Sequence, residues 1–423
     1  MAIILPFHGI RYDLNRAGAM EDLVAPPYDV VTREQRDRLV AQNPHNIFAL
    51  ELPDDNGGGY RHAADTFNSW LDEGIIKRED EPAIYPYEIE FKVGGKVFLR
   101  HGIIALVRIE DWESHIIRPH EKTFNSVTED RYRLLKATEA QFSQIFAIYR
   151  HNESVLRLVL QGKSMAGPLF EVNDQSGNTH RLWRLAEKEL IRGLHNAFLG
   201  QALYIADGHH RYTTALKYRN DMRATFGMDP SMPYNYIMTY LVDAEDPGLM
   251  VLPTHRIVTM EEGWASFEAL ARIFEKEDIV LPEGTGPEGV ASALSNALLV
   301  YPERRGIGVV RGSKKDSAQV WWPKQDLGGT SALAGLDVFI LEEVVLKALS
   351  CKAISYSSDA VSAIQGLSEG QVLFYLRAAP VGQILDIADA GLTMPHKSTF
   401  FYPKILTGPV LNSVSTKDTL NPL

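Results

Sequence analysis

The sequence predicts a mixed α+β protein, and three observations carry that reading. Segments with helical period alternate with segments of strand period along the chain, and no fixed-period repeat or low-complexity tract interrupts them. Apolar residues make up 45% and charged residues 23%, the composition of a globular fold. At 423 residues there is enough chain for two or three cores.

Taken in order, Ala25-Pro26-Pro27-Tyr28-Asp29-Val30-Val31 holds two prolines that forbid helix and a β-branched pair that favours a short extended piece. Thr32, with Glu34 and Gln35 behind it, is placed to cap a helix. Apolar and polar residues alternate over 83–93 and 97–107 around Gly94-Gly95, which predicts a β-hairpin with a primed turn. Residues 191–199 have helical spacing, 202–206 form a short apolar strand, and 212–222 resume a helix. Beyond Pro253 the pattern predicts helices at 260–275 and 289–299, strands at 307–310 and 318–322, and a helix over 336–349 with Val338, Leu341, Val345 and Ala348 on one face. A strand at 372–376 and a helix at 381–390 complete it. The expected division is a core domain over 1–252, a second α+β domain over 253–390, and a segment over 391–423 that returns to the core.

Charge and cysteine content narrow the function classes. With 43 Lys and Arg against 54 Asp and Glu, the formal charge of −11 gives no footprint for nucleic acid or an anionic membrane, so neither is an expected partner. The single Cys351 excludes an intrachain disulfide and suits a reducing compartment, with the cytoplasm expected. The N-terminal residues lack a basic n-region and no apolar run approaches membrane-spanning length, so neither a secretory signal nor a spanning helix is expected.

The strongest chemical signal is Leu203-Tyr204-Ile205-Ala206-Asp207-Gly208-His209-His210-Arg211-Tyr212, an apolar strand that empties into polar residues opening a helix. A glycine at a helix start lets a ligand approach backbone N–H groups, and Arg211 adds a guanidinium for phosphate. Asp207 would hold Mg²⁺ or accept a proton from a hydroxyl, and His209 and His210 would steady a transferring phosphoryl group. The plainer alternative is a β–α turn with Asp207 as the helix N-cap and exposed histidines. A second cluster, Ile117-Arg118-Pro119-His120-Glu121-Lys122-Thr123, offers His120 and Glu121 as an acid/base pair and Arg118 or Lys122 as phosphate contacts, against the alternative of a solvated charged loop. The third, Met394-Pro395-His396-Lys397-Ser398-Thr399-Phe400-Phe401-Tyr402-Pro403-Lys404, carries Lys397, Ser398 and Thr399 as phosphate contacts but lacks the glycines of a Walker A loop; its alternative is an aromatic edge strand. Pro253-Thr254-His255-Arg256 reads as a surface turn, Cys351 as a buried structural thiol, and Trp321-Trp322 as core.

Taken together, the Pro26–Val31, Arg118–Thr123, Ala206–Tyr212 and Met394–Lys404 blocks resemble the bacterial and archaeal domain-of-unknown-function family 1015 over nearly the whole chain. The Asp207–Arg211 block is also similar to the phosphate-binding box of the ParB and sulfiredoxin superfamily, in which free-serine kinases carry a similar Asp-Gly-His-His-Arg. This resemblance implies a mixed-sheet ParB/sulfiredoxin-like core in which Gly208, His209, His210 and Arg211 touch nucleotide phosphates. The expected function is therefore a phosphotransferase, with ATP or another nucleotide and Mg²⁺, acting on a small, serine-like hydroxyl compound. Two alternatives stand beside it. A ParB-like nucleotide-binding regulator without turnover is disfavoured as a DNA partner by the net acidity, and a metal-assisted hydrolase on Asp207, His209, His210 and Glu121 lacks metal-ligand spacing.

Overall fold

The computed structural model describes residues 1–54, 59–121, 123, 125–261, 265–325, 327 and 331–421. It divides into two compact units: Met1–Pro119, Thr123–Met250 and Pro403–Leu423 form the first, and His120–Lys122 with Val251–Tyr402 the second. The C-terminal segment thus splits instead of returning whole to the core. Backbone pairing accounts for the split: Thr407 bridges to Ala25 and Leu411 to Ile10 in the first unit, whereas the Met394 amide donates to the His120 carbonyl at 2.8 Å in the second.

The first unit is built on a mixed sheet, nine-stranded among the described residues. Its order runs Ile117–Arg118, Leu203–Asp207, Ile145–Tyr149, Tyr236–Asp243, Lys96–Arg108, Tyr85–Val93, Thr179–Leu182, Phe170–Asn173, and Ile4–Leu5 also pairs with Lys96–Arg108. Two pairings are parallel, Leu203–Asp207 with Ile117–Arg118 and Tyr236–Asp243 with Ile145–Tyr149. The hairpin Tyr85–Val93/Lys96–Arg108 turns through Gly94 (φ +57°) and Gly95 (φ +78°), the left-handed pair a two-residue primed turn needs. Thr32 opens the helix Arg33–Gln42 with a reciprocal capping box to Gln35. One face of the sheet is sealed by the helix Lys188–Phe198, whose Leu190, Ile191, Leu194 and Phe198 join Ile145, Ala147, Leu203 and Ile205 in one core.

The second unit carries an antiparallel sheet in the order Phe274–Ile279, Lys314–Pro323, Ile307–Arg311, Gln371–Tyr375, His255–Met260, Cys351–Ser357. The helix Pro287–Val300 packs Val290, Leu294 and Leu298 against Val310, Val320, Trp322 and Leu373, and Trp321 and Trp322 are core as expected.

Four expectations are corrected here. No helix spans 260–275: Met260 ends one strand, Ala265–Ala269 is a single short helix, and Phe274–Ile279 pairs with Lys314–Pro323. Long-range pairing with Lys314–Pro323 overrides the local helical period. The helix after Leu336 changes at Leu341–Leu346 to π geometry, and its wider turn moves the buried position from Ala348 to Leu349. Pro253–Arg256 is not a surface turn, since His255 is 1% and Arg256 0% exposed, the guanidinium being held by Glu342 at 3.0 Å and by the Thr254 and His396 carbonyls. Cys351 opens a sheet-edge strand and is only partly buried. Among the described residues no helix is long and apolar enough to cross a membrane.

Candidate functional site

The strand Leu203–Asp207 lies between Ile117–Arg118 and Ile145–Tyr149, which explains why it is apolar until its last residue. A bulge between Ile205 and Asp207, opposite Ala147 and Phe146, re-aims the chain just before the acid. Gly208 then takes φ +90°, ψ +28°, and the helix His209–Phe226 begins. A Cβ at Gly208 would stand 2.9 Å from Ile145 Cγ2 and 3.0 Å from Arg211 Nη2, so both conformation and space demand glycine. Gly208 is the N-cap. Asp207 is therefore not the capping residue that the plainer reading made it, and the helix opens with no side-chain cap over its positive end.

Asp207 instead sits between two cations. Its Oδ2 accepts from Arg211 Nη2 at 2.9 Å and its Oδ1 from Lys404 Nζ. Burial works to raise its pKa, but the charges of Lys404 and Arg211 and the Lys404 hydrogen bond outweigh burial and hold it down to about 2. With both oxygens claimed, Asp207 does not present the open carboxylate expected of a metal ligand. Arg211 donates from Nη1 to the Gln144 carbonyl at 2.6 Å, so its fork grips Asp207 and the backbone. Its buried Nε and the buried Gln144 Oε1 have no hydrogen-bond partner among the described residues. His209 is buried at 5% exposure, and His210 is half-buried, so neither is an exposed turn residue.

Beneath Arg211 is a recess of about 60 Å³ lined in part by Glu51, Arg131 and Ser143. Glu51 accepts from Ser143 Oγ at 3.1 Å, while Arg131 Nη1 donates to the Glu51 carbonyl at 2.8 Å and lies 3.7 Å from its carboxylate. Burial pushes the Glu51 carboxyl up, against the opposing charges of Arg131 and Arg211. The Arg131 guanidinium also lies 4.6 Å from the centre of the Tyr28 ring, whose hydroxyl is pushed up to about 12 by burial, opposed by Arg211 and Arg131. Lys404, Glu51, Ser143, Gln144 and Arg131 were not singled out by the sequence reading. Tyr28 and Lys404 lie inside blocks that it quoted, and that was an available signal.

Arg118 belongs to the same unit. Its strand runs parallel to Leu203–Asp207, with Arg118 opposite Tyr204. Its Nη1 donates to Tyr204 Oη at 3.2 Å, and Arg150 Nε donates to the same oxygen at 3.1 Å. Both guanidinium groups lie over that ring.

His120 and Glu121 belong to the second unit, where the structure joins the second and third clusters. His120 Nε2 and Thr399 Oγ1 are 3.0 Å apart, and His120 lies against the Phe401 ring. Ser398 is buried and donates to the Pro395 carbonyl at 2.5 Å, whereas Lys397 is exposed at φ +53°. Glu121 lies close enough to Arg256 for their charges to interact: burial pushes the guanidinium down, and Glu342 and Glu121 oppose it. Lys122 lies outside the described residues. Among the described residues no group of three or more His, Cys, Asp or Glu is placed to hold a metal ion.

A search of curated proteins finds no match. Among solved structures the chain is similar to SbnI with C-terminal truncation from Staphylococcus aureus, at 13% identity and a TM-score of 0.36, covering 72% of this chain and 87% of that one. It is similar to a free serine kinase in complex with ADP at 10% identity and a TM-score of 0.34, covering 71% and 90%. A conserved hypothetical protein from Pyrococcus furiosus matches at 12% identity and a TM-score of 0.31, covering 68% and 90%. The family model described as Protein of unknown function (DUF1015) matches residues 4–339, which takes in three of the four quoted blocks and leaves Met394–Lys404 beyond it. A match over that much of 423 residues is decisive, and the chain belongs to the DUF1015 family.

Proposed function

We propose that the chain is a nucleotide-dependent phosphotransferase acting on a small, serine-like hydroxyl compound, with its phosphate station on a ParB/sulfiredoxin-like core in the first unit. The observation that carries this reading is the junction at Gly208: a sheet strand ends at a bulge, a glycine with φ +90° opens a helix, and Arg211 and Lys404 stand around the one acid. Two cations grouped at the positive end of a helix dipole give a station that favours phosphate oxygens. Phosphoryl transfer asks mainly for such positioning and charge. ATP or another nucleotide fits these residues. Mg²⁺ does not fit Asp207 in its present pairing, and no step is assigned to the ion. His209 and His210, beside that acid, are proposed to steady the transferred group. A further contact to phosphate is proposed for Arg118, which shares the first unit, on the chemistry of its side chain.

Isothermal titration of the full chain with ATP, ADP and AMP, beside a phosphotransfer assay on serine and related alcohols, tests the reading. Arg211→Lys replaces a planar fork by a point charge and should weaken nucleotide binding by roughly 1.5–3 kcal/mol while the fold persists. Absence of nucleotide binding at about millimolar concentration would remove the phosphotransferase reading.

A further inference from the structure

A cavity of about 530 Å³ lies within the second unit, large enough for a small organic molecule. Leu299, Leu336, Leu376, Ala379 and Pro380 give it apolar walls. Polar side chains line it as well, and their charges decide what it can hold. Two guanidinium groups line it, and one is spent: Arg377 holds both Asp337 oxygens at 2.7 and 2.8 Å, and gives its remaining N–H groups to the carbonyls of Leu298, Tyr301, Pro302 and Arg304. That pair contributes no net charge.

Arg305 is different. Its hydrogen bonds are long ones to carbonyls, from Nε to Ala334 at 3.3 Å and from Nη1 to Glu303 at 3.4 Å. No carboxylate among the described residues pairs with it. Its Nη2 converges with the Gln383 side-chain amide over Gly335: a Cβ at that glycine would stand 3.3 Å from Arg305 Nη2 and 2.2 Å from Gln383 Nε2. Thr254 adds a hydroxyl to the lining. It is 6% exposed, lines the cavity, and its buried Oγ1 has no hydrogen-bond partner among the described residues. A buried hydroxyl without a partner is costly unless something completes it.

We propose that this cavity is a binding site for a small aliphatic monocarboxylate, the carboxylate held by Arg305 and Gln383 and the chain lying against the leucine and proline walls. One uncompensated cation balances one negative charge, which selects a monoanion over a phosphate dianion. The guanidinium fork and the amide supply donors with the planar geometry that a carboxylate accepts. The site is independent of the phosphotransferase reading and would stand without it.

Titration of the full chain with hexanoate, and with hexanamide as its uncharged counterpart, tests the assignment. Hexanoate should bind more tightly than butyrate and at least about tenfold more tightly than hexanamide. Arg305→Met should weaken hexanoate at least about tenfold with cooperative unfolding retained, because that side chain makes only long, half-exposed contacts. Gly335→Val pushes on the flexible end of Gln383 and should block binding without unfolding the unit; it gives a second reading should Arg305→Met fold poorly. The proposal is overturned by hexanoate failing to bind at about 10 mM, by equal binding of hexanamide, by full affinity in a folded Arg305→Met, or by ATP displacing hexanoate competitively.

Discussion

Replacing Asp207 by Asn distinguishes a charge clamp from a helix cap. In the folded chain the carboxyl titrates at about 2 against an ordinary 3.8, because Lys404 and Arg211 outweigh its burial. A folded pKa below the unfolded one stabilises above about pH 4, and that stability disappears as pH falls from about 4 to 2. At 1.36 kcal/mol per pH unit the clamp contributes on the order of 2–3 kcal/mol at neutral pH. Breaking fully buried pairs costs about 3–5 kcal/mol, but the Asp207 side chain is 19% exposed, so the lower figure governs. Asn keeps an oxygen of the same size, and a capping role would survive it nearly intact. Urea unfolding at pH 7 should therefore show Asp207→Asn destabilised by roughly 2–3 kcal/mol, and a double-mutant cycle with Lys404→Met should recover a coupling of about 1 kcal/mol or more. A loss below about 0.5 kcal/mol with no coupling to Lys404 would refute the clamp.

Gly208→Ala forces a side chain into φ +90° and to 2.9 Å from Ile145 Cγ2, and should cost roughly 1–3 kcal/mol by urea unfolding while displacing the Arg211 head; an unchanged midpoint would show that the turn is not held in this conformation. His255 is pushed down to about 4, first by burial and then by the neighbouring Arg256 charge, so its neutral form is favoured in the folded state. Its contribution is complete above about pH 6.5 and is lost as pH falls toward 4, roughly 3 kcal/mol in all. His255→Gln should flatten that part of the stability–pH curve of the second unit, measured by denaturation between pH 7 and 4.5, and an unchanged slope would count against a buried neutral imidazole.

What was legible in the sequence was local. The hairpin announced itself because Gly94-Gly95 separates two runs of strict alternation, and the Gly208 junction because an apolar strand ends in polar residues. Long-range partners were not legible. Lys404 lies 197 residues from the acid it neutralises, and Glu51 meets Arg131 across 80 residues in a recess that no spacing rule foretells. Arg256, charged and next to a proline-containing stretch, looked like surface, yet its burial depends on Glu342 and on a carbonyl at His396. The strand at Phe274–Ile279 was masked by an accidental helical period, which only its partner Lys314–Pro323 overrules.

The first unit is discontinuous: its last portion, Pro403–Leu423, follows the second unit in the chain. A ribosome therefore releases the strand, the glycine and the helix long before it releases Lys404. During that interval Asp207 has Arg211 as its only partner from this clamp, and Ile10 and Ala25 still await their bridges to Leu411 and Thr407. Assembly of the Asp207 clamp thereby waits on the segment that follows the second unit, so a chain cut before Lys404 would carry the Asp-Gly-His-His-Arg sequence with one of the two cations of that clamp missing.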